Sequence, residues 1–207
     1  ALDDGRVVCL ATDGTVLWEK RRENPSSGSI SLQAEPGTPR LWMAAAGEVS
    51  RLEAWDTHGD ALWSQPLEEA NHPMVLTPGS GHLVAAVENA VEIRDPESGE
   101  LLSSMRLQRP APIHLLAHGD SSAAPQVVAA ADDQLYAMST ALWPLWTIKL
   151  PARATTMRWV GTPAEESVLA VGLADGRLCW YSPSGALLAE DARAAAAVLD
   201  LVESGAP

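Results

Sequence analysis

The stretch Asp175-Gly-Arg-Leu-Cys-Trp-Tyr-Ser-Pro-Ser-Gly-Ala-Leu-Leu-Ala189 decides the fold of this chain of 207 residues. Its apolar and aromatic runs flank a Pro-Ser-Gly turn, a pattern that predicts two strands joined by a tight turn. Four further copies of this strand–turn–strand phrase occur along the chain: GRVVCLATDGTVLW at 5–18, SRLEAWDTHGDALW at 50–63, NAVEIRDPESGELLS at 89–103 and DQLYAMSTALWPLW at 133–146.

The spacing of the five copies indicates the architecture. They end 45, 40, 43 and 43 residues apart, at Trp18, Trp63, Ser103, Trp146 and Ala189. A period of about 40 to 45 residues is typical of the four-stranded blade of a β-propeller. Apolar runs such as Leu83-Val-Ala-Ala-Val87 precede four of the copies and predict second strands covered on both faces. The predicted fold class is therefore all-β, a β-propeller.

The repeat also predicts the domain organisation. We expect a single propeller domain over 1–207, with five four-stranded blades. One blade would be closed by pairing of the N- and C-terminal strands, from 1–21 plus 196–207, because a closed ring leaves no unpaired sheet edge between its ends. The other blades are predicted at about 30–66, 73–107, 113–150 and 156–192. An open fragment of a larger ring is the alternative.

Composition excludes several classes of function. The net charge is −13 with only 14 Lys and Arg, so we expect no nucleic-acid binding, which requires a basic footprint. The sequence has no apolar run of the roughly 18 residues that a membrane span requires, so we expect no direct membrane insertion. The two cysteines, Cys9 and Cys179, are expected to be free thiols in strands, with a disulfide as the alternative. We expect a soluble protein of the cytoplasm, or of the periplasm or extracellular space after loss of a leader.

Residues 4–18, Asp-Gly-Arg-Val-Val-Cys-Leu-Ala-Thr-Asp-Gly-Thr-Val-Leu-Trp, resemble the repeat of the PQQ-like propellers, within the wider WD40-like class. That family includes quinoprotein dehydrogenases and the propeller of the outer-membrane barrel assembly machinery. The resemblance implies a structural role for Trp18, Trp63 and Trp146, each docking between blades; Ser103 and Ala189 depart from this pattern. A second stretch, 145–157, is similar to a propeller segment of Bardet–Biedl-type ciliary trafficking subunits.

Charged residues recur at one end of the predicted blades. Each turn between second and third strands carries a carboxylate, and the links between blades bring arginines to the same end. We predict that this end is a partner-binding face of mixed charge; the alternative is that acidic residues simply favour tight turns. The face comprises Asp4, Glu48, Glu88, Asp133, Asp175, Arg21, Arg109, Arg153 and Arg193.

A single tryptophan stands apart from the strands. Trp143 precedes Pro144 in a predicted turn, and we expect its side chain to be exposed. An exposed Trp can anchor a partner. The alternative is that the ring caps its own hairpin.

The sequence contains no coherent catalytic or metal-binding motif. The five histidines are scattered without ligand spacing, and no nucleophile elbow or calcium loop is present. We therefore predict no enzymatic activity, no metal and no cofactor. The predicted function is a protein-interaction scaffold, a subunit or domain of a larger assembly, with protein partners. The alternatives are a propeller glycosidase or lyase, a carbohydrate-binding lectin with a sugar or small-molecule ligand, and a ciliary trafficking propeller.

Overall fold

The computed structural model describes residues 6–21, 30–34, 40–45, 50–67, 76–79, 81–108, 113–117, 127–160 and 167–191. These residues form antiparallel sheets that follow one another along the chain, and no helix occurs among them. The all-β prediction is therefore confirmed.

The sheets are numbered as blades in chain order. Blade 1 has β1 (Arg6–Leu10) and β2 (Val16–Arg21), and blade 2 has β3 (Ile30–Ala34), β4 (Arg40–Ala45), β5 (Arg51–Asp56) and β6 (Ala61–Pro66). Blade 3 has β7 (Leu76–Gly79), β8 (His82–Val87), β9 (Ala90–Arg94) and β10 (Leu101–Arg106). Blade 4 has β11 (Ile113–Ala117), β12 (Val127–Ala131), β13 (Gln134–Met138) and β14 (Pro144–Lys149). Blade 5 has β15 (Ala154–Val160), β16 (Val168–Leu173), β17 (Leu178–Tyr181) and β18 (Leu187–Asp191).

The first strands of blades 2 to 5 lie side by side in chain order, β3 against β7, β7 against β11 and β11 against β15. Blade 1 shows only its third and fourth strands in the described part of the chain. The segment 196–207, predicted to complete that blade, lies outside the described residues. Closure of the ring therefore stays a prediction.

Antiparallel pairing gives each blade two different ends. The turn after the first strand and the turn after the third strand lie at one end; we call the latter turn, with its flanking residues, the outer hairpin. The turn after the second strand and the link to the next blade lie at the other end, which we call the link face. Pairing in blade 4 shows this directly, because β11, β12, β13 and β14 alternate in direction.

The core lies between the blades. The second strands are apolar on both faces, and in β12 every residue from Val127 to Ala131 is buried. Apolar residues of β8 and β9 pack against those of β12 and β13, and the other face of β12 packs against blade 5. The repeated alanines let neighbouring sheets approach closely, as predicted for strands covered on both faces. Cys9 and Cys179 are free thiols.

Tryptophan side chains tie one blade to the next. The indole nitrogen of Trp63 donates a hydrogen bond to the carbonyl of Pro96 in the outer hairpin of blade 3, at 3.0 Å. Trp18 donates in the same way to Thr57 of blade 2, and Trp146 to Pro183 of blade 5, at 2.6 and 2.9 Å. These three junctions therefore share one geometry, an indole ring lying on the outer hairpin of the following blade.

A glycine in each receiving hairpin makes room for the ring. A Cβ added at Gly99 would lie 2.6 Å from Cζ3 of Trp63, and φ there is +73°, which side chains rarely adopt. Both the space and the backbone angle favour glycine. The corresponding hairpin positions under Trp18 and Trp146 are also glycines, Gly59 and Gly185.

The junction between blades 3 and 4 is built differently. Ser103 stands where blades 1, 2 and 4 carry tryptophan, and the receiving hairpin has Leu142 at the position of the glycine. Leu142 keeps the positive φ of that position, +60°, although it has a Cβ. Its side chain is buried in the cluster that contains Ile93 and Leu107, with Met105 packed against the same cluster. A side chain from the receiving hairpin therefore fills the core where a docked indole is absent.

We predict that Gly99→Ala destabilises the protein far more than Gly14→Ala. Both glycines have positive φ, +73° and +85°, so both variants carry a backbone strain of about 1 kcal/mol. A Cβ at Gly14 meets nothing within 4 Å among the described residues, whereas one at Gly99 meets the Trp63 ring. Overpacking adds about 1–3 kcal/mol at Gly99 alone. Urea unfolding measures both; equal losses would show that the Trp63 ring does not constrain the hairpin.

A mixed-charge face as candidate functional site

The link face is organised by backbone hydrogen bonds that cross from blade 4 to blade 5. The amide of Ala154, at the end of the link, donates to the carbonyl of Asp132 in blade 4 at 3.0 Å. One residue earlier, the carbonyl of Arg153 accepts from the amide of Ala174 in blade 5 at 2.8 Å. The exposed Arg153 side chain is thus held next to the turn that contains Asp175.

A repeated contact fixes the chain where each blade leaves the link face. The amide of Leu150 donates to the carbonyl of Asp133 at 2.7 Å, and Leu107 donates to Asn89 of blade 3 at 2.7 Å. Leu67 and Ser50 of blade 2 make the same contact. In each of these blades, the residue after the fourth strand is therefore hydrogen-bonded to the residue before the third strand. This bond brings the start of each link beside the turn between the second and third strands.

The strongest charge contact on this face involves Asp175. Nε of Arg177 donates to its carboxylate at 2.8 Å, and Nη1 of Arg177 donates to Glu190 at 3.1 Å. The Arg177 hydrogen bond holds the pKa of Asp175 below its ordinary value, and the two carboxylates raise the pKa of Arg177 further above its usual range. These three groups form a small ion-pair network at the surface.

Asp133 makes a looser contact. Its carboxylate lies 3.9 Å from Nζ of Lys149, whose side chain is exposed. Neighbouring Asp132 has φ +53°, and Glu88, in the equivalent turn of blade 3, has φ +54°. Both residues therefore occupy the left-handed turn position, as the turn-chemistry alternative requires. The turn geometry accounts for these two residues, and a binding role for Glu88 stays a prediction.

The predicted face is only partly covered by the described residues. Glu88, Asp133, Asp175 and Arg153 lie at the link face, and Arg21 lies at the end of β2, which reaches the same end of blade 1. The remaining four members lie outside the described residues: Asp4, Glu48, Arg109 and Arg193. Sequence reasoning missed the cationic partners Arg177 and Lys149, although their positions beside the acidic turns and at the end of an outer strand would have indicated them.

Trp143 lies at the opposite end of the molecule, in the outer hairpin of blade 4. Its side chain is 72% exposed, the highest value among the exposed large apolar residues of the described chain. The ring does not cap its own hairpin by burial. The residue that fills that role is its neighbour Leu142, which is 5% exposed.

One buried ion pair lies away from the link face. Glu92 and Arg94 are neighbours on one face of β9, and Nε of Arg94 donates to Glu92 at 2.8 Å. Nη1 of Arg94 also donates to the carbonyl of Gly99 at 2.8 Å, beneath the Trp63 ring. The pair therefore supports the hairpin on which Trp63 rests, and its charges are satisfied internally.

Within the described residues, no group of three or more His, Cys, Asp or Glu side chains is arranged to hold a metal ion. The same part of the chain has no helix of the length and apolar character needed to span a bilayer.

Comparison with known proteins gives the family. The sequence profile described as "Outer membrane protein assembly factor BamB" matches residues 3–203. The chain belongs to this family of PQQ-like repeat propellers. The match spans all five copies of the repeat, so the predicted resemblance to the PQQ-like propellers is confirmed. A search of curated proteins gave no significant match.

Solved structures share the fold at low sequence identity. BamB from Moraxella catarrhalis is 14% identical with a TM-score of 0.57, covering 94% of this chain and 72% of BamB. Raptor from Chaetomium thermophilum is 13% identical with a TM-score of 0.71, covering 96% of this chain and 19% of Raptor. BBS1N, solved in complex with ARL6DN, is 17% identical with a TM-score of 0.59, covering 89% of this chain and 57% of BBS1N. The predicted likeness to Bardet–Biedl-type propellers thus holds at the level of the fold.

We predict that acid weakens the fold partly through Asp175. Its pKa is depressed in the folded state, so its contribution is present above its unfolded pKa of about 3.9 and is lost as the pH falls through the lower folded value. The stability difference between the wild type and Asp175→Asn should therefore shrink as the pH is lowered below about 4. Urea unfolding at a series of pH values measures this; a difference that stays constant with pH would contradict it.

Proposed function

We propose that this protein is a non-catalytic interaction propeller that binds a protein partner on its link face. The observation that carries the proposal is the set of backbone hydrogen bonds that holds Asp132, Arg153 and Ala174 of two blades in one surface. Charged side chains of both signs are fixed on that surface, at Asp175, Arg177 and Lys149 among others. Such a pattern steers and orients a complementary partner.

The family gives independent support. Its description names an assembly factor, and BBS1N was solved bound to ARL6DN, so propellers of this fold serve as parts of assemblies. The role proposed for this chain is accordingly that of a subunit or domain in a larger complex. Among the compartments that the sequence left open, the outer-membrane description favours one outside the cytoplasm.

An enzyme is the alternative of a different class. A glycosidase needs two carboxylates facing each other across a cleft at about 5–10 Å, one of them kept protonated. The hydrogen bond from Arg177 instead stabilises the ionised form of Asp175 and holds its pKa below the ordinary value. This favours a binding role for Asp175 over acid catalysis.

We predict that charge reversal on the link face abolishes partner capture. Asp133→Lys with Asp175→Lys should lower recovery of the partner that co-purifies from the native source by about tenfold or more, because reversed charges repel the complementary surface. The matched control, Asp13→Lys with Asp60→Lys, makes the same charge change at the outer hairpins of blades 1 and 2 and should leave capture unchanged. Thermal unfolding of both variants monitors the fold, because one carboxylate oxygen of Asp133 is buried.

Two results would contradict the proposal. One is full capture by the link-face variant while its circular dichroism spectrum remains that of the wild type. The other is equal loss in both double variants, which would show that capture depends on the overall negative charge of the protein and not on this face.

A further inference from the structure

The outer hairpins of blades 4 and 5 differ from the others in charge. Residues 139–148 and 182–189 contain no Asp, Glu, Lys, Arg or His. The outer hairpins of the first three blades each carry charge: Asp13 in blade 1, Asp56, His58 and Asp60 in blade 2, and Asp95, Glu97 and Glu100 in blade 3. In a chain with a net charge of −13, two neighbouring uncharged hairpins form a distinct surface.

This surface exposes large apolar side chains. Trp143, Leu145, Leu187 and Leu188 are 72, 55, 54 and 56% exposed. Every blade exposes a leucine at the second position of its fourth strand, so exposed leucine alone does not distinguish the site. The distinguishing features are Trp143 and the absence of charge within the two hairpins themselves. We call these four residues the hairpin patch.

The two hairpins are held together by the tryptophan dock of this junction. Trp146 follows Trp143 on the same hairpin and donates its indole proton to the carbonyl of Pro183 at 2.9 Å. Its ring lies over Gly185, two residues before Leu187. The patch is therefore presented on a fixed junction between two blades.

Packing does not explain Trp143. The equivalent position in the other outer hairpins is Thr15, Asp60, Glu100 or Ala186, so the repeat does not require a large side chain there. Leu142 already fills the core of the hairpin. Exposed tryptophans on a fixed frame are typical anchors of protein interfaces.

We propose that the hairpin patch is a second docking site, at the end opposite the link face, for a peptide segment that is apolar at its centre and basic at its flanks. The apolar centre would cover Trp143 and the leucines. The basic flanks follow from charge complementarity, because the protein has a net charge of −13 and the outer hairpin of blade 3, which precedes that of blade 4, carries Asp95 and the exposed Glu100. Glu97 of the same hairpin is already paired with Arg40 and is not counted.

The same charges disfavour a second copy of this chain. Two protomers of net charge −13 repel each other when they approach through a surface rimmed by carboxylates. An anionic bilayer is disfavoured for the same reason. A neutral bilayer and self-association are kept as outcomes of the test.

The test is selection of a random peptide display library on the intact protein, followed by measurement of the dissociation constants of the selected peptides as synthetic peptides. Trp143→Ser with Leu188→Ser removes the anchor and one leucine. The matched control is Leu17→Ser with Leu62→Ser, which changes the repeat position of Leu188 on the charged hairpins of blades 1 and 2, where the leucines are 61 and 48% exposed. Circular dichroism and unfolding of both variants monitor the fold.

We expect selected peptides to carry large apolar residues between Lys or Arg. The patch variant should raise their dissociation constants by about tenfold or more, and the control by less than about twofold. Failure to enrich such peptides, enrichment of acidic ones, or equal binding to wild type and patch variant would each overturn the proposal. Two other results would also overturn it. One is a concentration-dependent dimer that the patch variant abolishes and the control does not. The other is flotation with vesicles of neutral phospholipid that is lost in the same selective way. None of these outcomes depends on the link face, so the two sites are tested separately.

Discussion

The interaction on which this structure depends is a side chain that crosses from one blade to the outer hairpin of the next. At three junctions it is an indole, with its N–H bonded to a hairpin carbonyl and its ring over a glycine. Blades are thin sheets that cannot bury both faces alone, so their stability requires contact with neighbours. The docked indole also orients the neighbouring blade, because its hydrogen bond fixes the position of the next outer hairpin.

The junction between blades 3 and 4 shows that the space between neighbouring blades must be filled, but that the side chain filling it need not be an indole. Leu142, coming from the receiving hairpin, is buried where a docked indole is absent, at the cost of a positive φ. Its neighbour Trp143 is 72% exposed. A departure from the repeat in the core therefore lies next to the most exposed tryptophan of the described chain.

The sequence was sufficient to predict the blades because a period near 43 residues and strand-sized apolar runs constrain the fold strongly. It was insufficient at particular contacts. The aligned repeat showed that Ser103 lacks the tryptophan, but not that Leu142 compensates, since this requires knowing which hairpin faces which strand. Likewise Asp175 was predicted from its turn, whereas its pairing with Arg177 and Glu190 depends on side chains converging from two strands.

The most direct test of this account exchanges one type of dock for the other. Leu142→Gly should lower the free energy of unfolding by about 2–3 kcal/mol, because the cavity outweighs the relieved backbone strain. Adding Ser103→Trp in the Leu142→Gly background should restore most of that loss, as the new indole occupies the vacated space over the glycine. Urea unfolding of the wild type, both single variants and the double variant measures this. If Ser103→Trp lowered the free energy of unfolding as much in the Leu142→Gly background as in the wild type, this explanation of the junction would be contradicted.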